Sequence, residues 1–449
     1  MTELGAALAR RLTALAGADV TVEGLRRLTA GASRETWSFS AVGPGGRRRL
    51  ALRRDQPGAD RPAGMAREAA VIAAAARAGV RVPPLVDSGT DTATVGSPYL
   101  VTEHVDGETL GPRLLREDRY AAARAGLAAE LGRTLARVHA IPVADVPGLE
   151  AADPVESLRA TYDALDEPLP AVEIALRRLD RERPDAVGEA VVHGDFRLGN
   201  LMIDEGGLRA VLDWEMVHRG DPREDLGWLC VKCWRFGREL PVAGLGTVDE
   251  LLDGYAEVAG VRPDPAAVHW WRVHRTVWWA LGCREMAGRH LDGTTPSVEL
   301  AAIGRRVAEQ EHDLLLALDV PDTADRPAAE APRPDLPGRP SATDLVEAVA
   351  GFLRDDVMTV DDERLAYLAR VATGVLDGVG RELRLGPDHE RRHRERLAGL
   401  GYRDQADLAR AIRSGAVDDT DPALLAAVRA DVTDKLAVTN PRYAALPGR

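Results

Sequence analysis

Cysteine is scarce in this 449-residue chain: only Cys230, Cys233 and Cys283 occur. An odd count of three cannot build a disulfide framework and fits a reducing compartment. Lysine is scarcer, present only at Lys232 and Lys435, so arginine carries almost all the positive charge. No stretch approaches the roughly 20 apolar residues of a membrane span. The opening segment, MTELGAALARRLTALAGADV, lacks the apolar core of a signal peptide and reads as an amphipathic helix. The expected location is therefore the cytoplasm, with no membrane partner. The net charge is −13 and no Arg cluster is long, which argues against a general nucleic-acid binder. No internal repeat is found.

What the chain does have is enough apolar sequence, 45%, to fill cores, and a length that implies two or three domains of roughly 100 to 200 residues. The clearest break is PDTADRPAAEAPRPDLPGRPSA, residues 321–342, whose prolines prevent regular helix. Before it, TWSFSAV, RRLALRR and SPYLVTEHV have strand length and strand patterning, and GMAREAAVIAAAARAG between the last two reads as a helix ended by Gly79. From residue 117 onward long helices dominate, interrupted by one hairpin. After the break only helical periodicity remains, with Ser341 or Thr343 as N-cap. The expected organisation is α+β: an N-terminal lobe with a leading helix over 1–108, a mostly helical lobe over 109–320, a linker over 321–340 and an all-α region over 341–449.

The hairpin carries the chemistry. VVHGDFRLGN occupies residues 191–200, and NLMID and LRAVLDWE are joined by EGG, a turn signal between apolar strands. Antiparallel pairing about that turn sets Asn200 nearly opposite Leu212 and Asp213, with cross-strand Cβ atoms roughly 5 Å apart. That separation suits two oxygen ligands sharing a Mg²⁺. Asp195 lies in the irregular segment five residues earlier, where a loop can aim it beside the pair as a proton acceptor. Two metal-holding residues and one base predict phosphoryl transfer.

HGDFRLGN followed by VLDWE resembles the aminoglycoside and choline kinase-like phosphotransferases, which share the protein-kinase fold. The resemblance covers about residues 20–315 and implies a two-lobed kinase-like fold. It implies Asp195 as the catalytic base, Arg197 as a contact to the γ-phosphate, Asn200 and Asp213 as Mg²⁺ ligands, and His193 and Asp225 as structural support. In the upper lobe it implies a phosphate-covering loop at LTAGASRETWSF with Gly31 and Ser33, Arg53 where such kinases carry Lys, Glu68 as its helical partner, and a hinge at YLVTEHVDG where the backbone of Glu103 and Val105 meets adenine. The donor would be ATP or GTP. The acceptor would be a small-molecule hydroxyl, either aminoglycoside-like or hydroxyacyl(-CoA), since the motifs are similar to the branch that includes phosphotransferase domains fused to acyl-CoA dehydrogenases. Two other readings stand beside it: a nucleotide-binding scaffold without turnover, and a metal-dependent phosphatase.

Other signals are weaker. CVKC at 230–233 has metal or redox spacing but no second Cys pair, and reads as the continuation of a helix after DLGWL. HWWRVHRTVWWALGC places Trp271 and Trp278 on one helical face, which reads as core with a share in an apolar substrate pocket. Asp313 and its helix read as closing the lobe. The C-terminal region resembles a small helical domain of unknown function found beside such phosphotransferases, and self-association or docking of a protein partner is the role expected of it.

Overall fold

The computed structural model describes residues 2–28, 34–56, 58, 61–321 and 340–443. Gly31 and Ser33 of the candidate phosphate loop lie outside the described residues, as does almost all of the proline-rich stretch.

The N-terminal lobe is a five-stranded antiparallel sheet with a helix on each face. α1 (Glu3–Ala16) is capped by Thr2, whose Oγ1 accepts from the Gly5 N–H, and lays Leu8 and Leu12 on the sheet. β1 (Thr21–Leu28), β2 (Arg34–Gly43), β3 (Gly46–Asp55), α2 (Pro62–Arg77), β4 (Leu85–Gly89) and β5 (Tyr99–Glu103) follow, in the spatial order β1-β2-β3-β5-β4. Successive strand residues face opposite sides. Leu50 and Leu52 of β3 therefore join Phe39 and Val101 beneath α1, while Arg53 turns toward α2. The sequence pattern had indicated three strands. β1 escapes it because Gly24 and a register shift between Glu23 and Arg26 break its alternation, and β4 because it is only five residues long.

The second lobe is mostly helical: α3 (Gly111–Arg116), α4 (Ala121–His139), α5 (Pro154–Leu165) and α6 (Pro170–Arg181) precede the strands β6 (Ala190–Val192), β7 (Leu201–Asp204), β8 (Gly207–Val211) and β9 (His218–Gly220). β7 and β8 form the expected hairpin, closed by a two-residue turn, Glu205-Gly206, rather than by three residues. A second pairing, β6 with β9, was not expected, because three-residue strands carry no legible alternation. α7 (Arg223–Leu229), α8 (Val248–Ala259), α9 (Pro265–Leu291), α10 (Val298–Gly304) and α11 (Val307–Ala317) complete the lobe.

α12 (Ala342–Phe352), α13 (Glu363–Gly399), α14 (Gln405–Ser414) and α15 (Pro422–Thr439) form the C-terminal region. The four-residue spacing of Leu424, Val428, Val432 and Leu436 places them on one face of α15. The first three pack with Leu397, Leu408 and Ile412 into the same core as α6 and α11. Arg413 pairs with Glu173 at 2.8 Å and Arg181 with Asp419 at 3.1 Å across the same seam. Among the described residues, no helix is long and apolar enough to cross a membrane.

Candidate active site

β6, three buried apolar residues, delivers the chain to a loop built around one buried anion. The backbone N–H groups of His193 and Gly194 donate to the two oxygens of Asp225, at 2.8 and 2.9 Å, and His139 Nε2 lies 3.1 Å from the same carboxylate. Burial raises the Asp225 pKa, but the His139 hydrogen bond and charge outweigh it, leaving the group at about 2. Gly194 has φ 81°, and a Cβ there would meet the Met216 carbonyl oxygen at 2.5 Å, so the left-handed turn accepts only glycine. His193 Nδ1 accepts from the Asp195 N–H at 3.2 Å, which assigns the ring proton to Nε2 and directs it to the Leu212 carbonyl at 3.0 Å. His193 thus braces the loop through Nδ1 and ties it to Leu212, just past β8, through Nε2.

Asp195 follows, with donors on both carboxylate oxygens. Arg197 Nε and Trp228 Nε1 donate to Oδ1 at 3.0 and 2.9 Å, and Asn200 Nδ2 donates to Oδ2 at 2.6 Å. Trp228 was not singled out in the sequence; its only signal was a Trp three residues after Asp225 in DLGWL. Because the Asn200 amide nitrogen is turned onto Asp195, its oxygen is the atom left for another ligand.

Asp213 stands at the end of the hairpin with φ 62°, a conformation that Asp tolerates better than most residues and that swings its carboxylate out of the strand. Arg53 Nη2 donates to it at 2.5 Å while Arg53 Nη1 donates to Glu68 at 2.9 Å. Burial pushes the Asp213 carboxyl up, but the charge and hydrogen bond of Arg53 bring it below the ordinary value, so it is ionised at neutral pH. Glu68 sits on the buried face of α2, where a carboxylate needs compensation. A second arginine, Arg34, supplies it from the start of β2 and also reaches Asp55 at 3.2 Å. Arg34 too was missed in the sequence, being hidden beside the candidate phosphate loop. The Asn200 amide oxygen and the ionised Asp213 carboxylate are hard oxygen donors of the kind Mg²⁺ takes, with phosphate oxygens completing its shell.

Residues 24–271 match the model of the phosphotransferase enzyme family. The chain belongs to that family. The matched segment includes the candidate base, metal-ligand and nucleotide-contacting residues named above. In this phosphotransferase, residues 359–443 match a second model, a domain of unknown function, DUF6285. Acyl-CoA dehydrogenase family member 10 of Mus musculus is 28% identical over 238 residues, which are 48% of this chain and 22% of that protein. The phosphotransferase thus spans about a fifth of that relative's length. An aminoglycoside 3'-phosphotransferase of Streptomyces fradiae is 33% identical over 172 residues, covering 33% of this chain and 58% of that protein. A solved structure from Ralstonia eutropha, named as a candidate aminoglycoside phosphotransferase, has the same fold: TM-score 0.53 and 22% identity, with 66% of this chain and 92% of that chain covered.

In the segment expected to form the hinge, the Glu103 N–H donates to the Pro84 carbonyl at 2.9 Å. Pro84 has no N–H to return, so the Glu103 carbonyl, facing the same way, is free of that strand. Val105 lies two residues on, beyond the end of β5.

Below the loop opens a cavity of about 770 Å³, lined in part by Gly194, Met216, His218, Trp271, Trp278 and Glu285. Trp271 and Trp278 thus serve both roles the sequence suggested, core packing and cavity wall. Arg275 spans the floor: Nη2 donates to the Gly194 carbonyl at 2.5 Å, Nη1 donates to Glu224 at 2.8 Å, and its guanidinium lies 3.9 Å from the Trp278 ring centre.

The CVKC segment is not a continuous helix. α7 ends at Leu229, Val231 is extended, and a separate tight turn spans Lys232–Arg235. Cys230, Cys233 and Cys283 are all buried, and burial pushes their thiols up, Cys230 to about 11 and Cys283 to about 12. Burial thus favours the protonated thiol at all three positions.

Proposed function

We propose that this chain transfers the γ-phosphoryl group of ATP or GTP, with Mg²⁺, to a hydroxyl of a small molecule held in the cavity beside Gly194. The observation that carries the reading is the convergence of Asp195, Asn200, Asp213 and Arg53: a base, two oxygen ligands and a phosphate-lobe cation, brought into one cleft from two lobes. Asp195 orients the acceptor hydroxyl and takes its proton as the new oxygen–phosphorus bond forms and the bond to the nucleoside diphosphate breaks. Arg197 and Trp228 hold Oδ1 and Asn200 holds Oδ2, which fixes the carboxylate in one orientation for the acceptor. Arg53 and Arg197 face the phosphates with positive charge. Mg²⁺, held by Asn200 and Asp213, supplies charge neutralisation of the phosphate oxygens when bound. The hinge carbonyl of Glu103 and the backbone of Val105 receive the base. The aromatic wall and the Glu285 carboxyl, which partial desolvation pushes up, suit an acceptor with both apolar and polar parts. Aminoglycoside-like and hydroxyacyl(-CoA) compounds both meet that description.

The test is ADP or GDP release across aminoglycosides, choline-like alcohols and hydroxyacyl-CoAs, with nucleotide affinity measured in parallel. Turnover by the wild type should fall about 10²- to 10⁴-fold in Asp195→Asn while nucleotide binding persists. A wild type that binds nucleotide but releases no more product than the variant is a scaffold. Phosphate release from a phosphorylated compound without nucleotide would make it a phosphatase.

A further inference from the structure

The four-residue turn Lys232–Arg235 occupies a pivotal place. Trp234 within it lies under Arg197, with the guanidinium carbon 4.5 Å from its ring centre, and meets the Trp228 ring edge-on at 5.3 Å. Trp228 and Arg197 are the two donors that hold Asp195 Oδ1. Yet the turn is poorly equipped to hold itself in place. It is too short for helical hydrogen bonding beyond one turn, enters through the extended Val231 and leaves through Phe236 at φ 49°, a strained conformation for an aromatic residue. Its position is set by side chains: Cys233 and Trp234 pack in the core, Arg235 Nη2 donates to the Cys230 carbonyl at 2.8 Å, and Lys232 reaches α11.

The anchor that ties the turn to α11 is Lys232. Its Nζ lies 3.1 Å from Asp313 Oδ1 on α11, and the other oxygen of Asp313 accepts from the Tyr443 hydroxyl at 2.7 Å. Lys232 Nζ also sits 4.2 Å from the centre of the Tyr443 ring, so Tyr443 touches both members of the ion pair. Asp313 and Tyr443 are buried, and the Lys232 side chain is 9% exposed. A buried carboxylate is stable only while its acceptor positions are filled, and here a residue just past α15 fills one of them. α15 is itself held against α11 and the residues after it: Arg429, fully buried in mid-helix, donates to the Val320 carbonyl at 2.7 Å, and Asn440, just past the helix, donates to Glu309 of α11 at 2.9 Å.

We propose that Tyr443 is a positioning residue for the active site: through Asp313 and Lys232 it fixes the turn on which Trp234 carries Arg197, so that the C-terminal helices act as an intramolecular brace for the catalytic loop. The proposal rests on the reading of Arg197 given above, and its test separates the two.

The full-length chain is labelled with 5-fluorotryptophan, and Trp234→Phe assigns the Trp234 fluorine resonance. Tyr443→Phe keeps the ring and removes only the hydroxyl. It should shift or broaden that resonance and lower the rate of ADP release from Mg-ATP, with water as acceptor, by about tenfold, leaving the KM for ATP within about twofold. Combined with Arg197→Gln, it should lower the rate no further than Arg197→Gln alone. Arg413→Gln loosens the same seam away from the turn, and should lower the Tm while leaving the Trp234 resonance and the rate unchanged. An unmoved Trp234 resonance in Tyr443→Phe overturns the brace, whatever the rate does. A moved resonance with Arg197→Gln as active as the wild type overturns the role of Arg197 and, with it, the catalytic half of the proposal.

Discussion

Arg53 and Asp213 lie 160 residues apart in sequence, yet the guanidinium of one donates to the carboxylate of the other at 2.5 Å. The contact joins the two lobes across the cleft, and Glu68 holds the opposite nitrogen of the same guanidinium. A planar group with two divergent donors can bridge two carboxylates in this way; a point-charge ammonium cannot do so with the same geometry.

Arg53→Lys should therefore leave the chain folded but loosen one of the two contacts. The KM for ATP is expected to rise about tenfold, equivalent to about 1.4 kcal/mol, with a smaller change in kcat. Steady-state kinetics against ATP and GTP, once an acceptor is in hand, check this. An unchanged KM would show that the bridge plays no part in binding nucleotide.

Gly194→Ala places a methyl group 2.5 Å from the Met216 backbone oxygen at a φ of 81°. No side-chain rotation relieves a clash with backbone, so a loss of at least about 2 kcal/mol is expected, together with displacement of Asp195. Chemical denaturation and residual turnover measure the two effects separately. A variant as stable and active as the wild type would contradict the described turn.

Asp225 is held at about 2, below its ordinary value of 3.8. A group depressed on folding contributes stability that is complete above its unfolded pKa and is lost as pH falls through the folded one. The window therefore runs from about pH 4 down to about pH 2. Asp225→Asn turns an NH₂ group toward the His193 or Gly194 N–H and should cost about 3 kcal/mol at neutral pH. The gap between variant and wild type should narrow across that acidic window, as followed by thermal melts at stepped pH.

His218 behaves in the opposite sense. Burial lowers its pKa, but Glu224, 3.2 Å away, more than reverses this, so the imidazole is held above its ordinary 6.5. The stabilisation is complete below about pH 6.5 and is lost as pH rises through the raised value. His218→Gln should accordingly melt lower than the wild type in mild acid, and the two should converge in alkali. A difference that grows with pH would refute the pairing.

The legible parts of this chain are those in which a local pattern suffices. The hairpin, the Ala-rich α2 and the loop residues Asp195 and Asn200 could be found because period, turn chemistry and spacing all lie within a few residues of one another. Arg34, Trp228 and Tyr443 could not, because what defines them is a partner far along the chain: Glu68 for the first, Asp195 for the second, Asp313 for the third. CVKC misled in the same way. Its place after DLGWL suggested continuous helix, whereas burial of Trp234 and anchoring of Lys232 impose a break at Val231. Tertiary demand overrode local propensity there.

The distribution of the two lysines has a practical corollary. Lys232 pairs with Asp313, and Lys435 with Glu311 and Asp431, so both lysine ammonium groups lie along the seam between the C-terminal helices and the lobe beneath them. Acylating reagents and lysine-directed conjugating enzymes meet a surface whose positive charge is guanidinium and therefore inert to them. Lys232 in particular is shielded while the seam is closed, and its acylation would report the moment the seam opens.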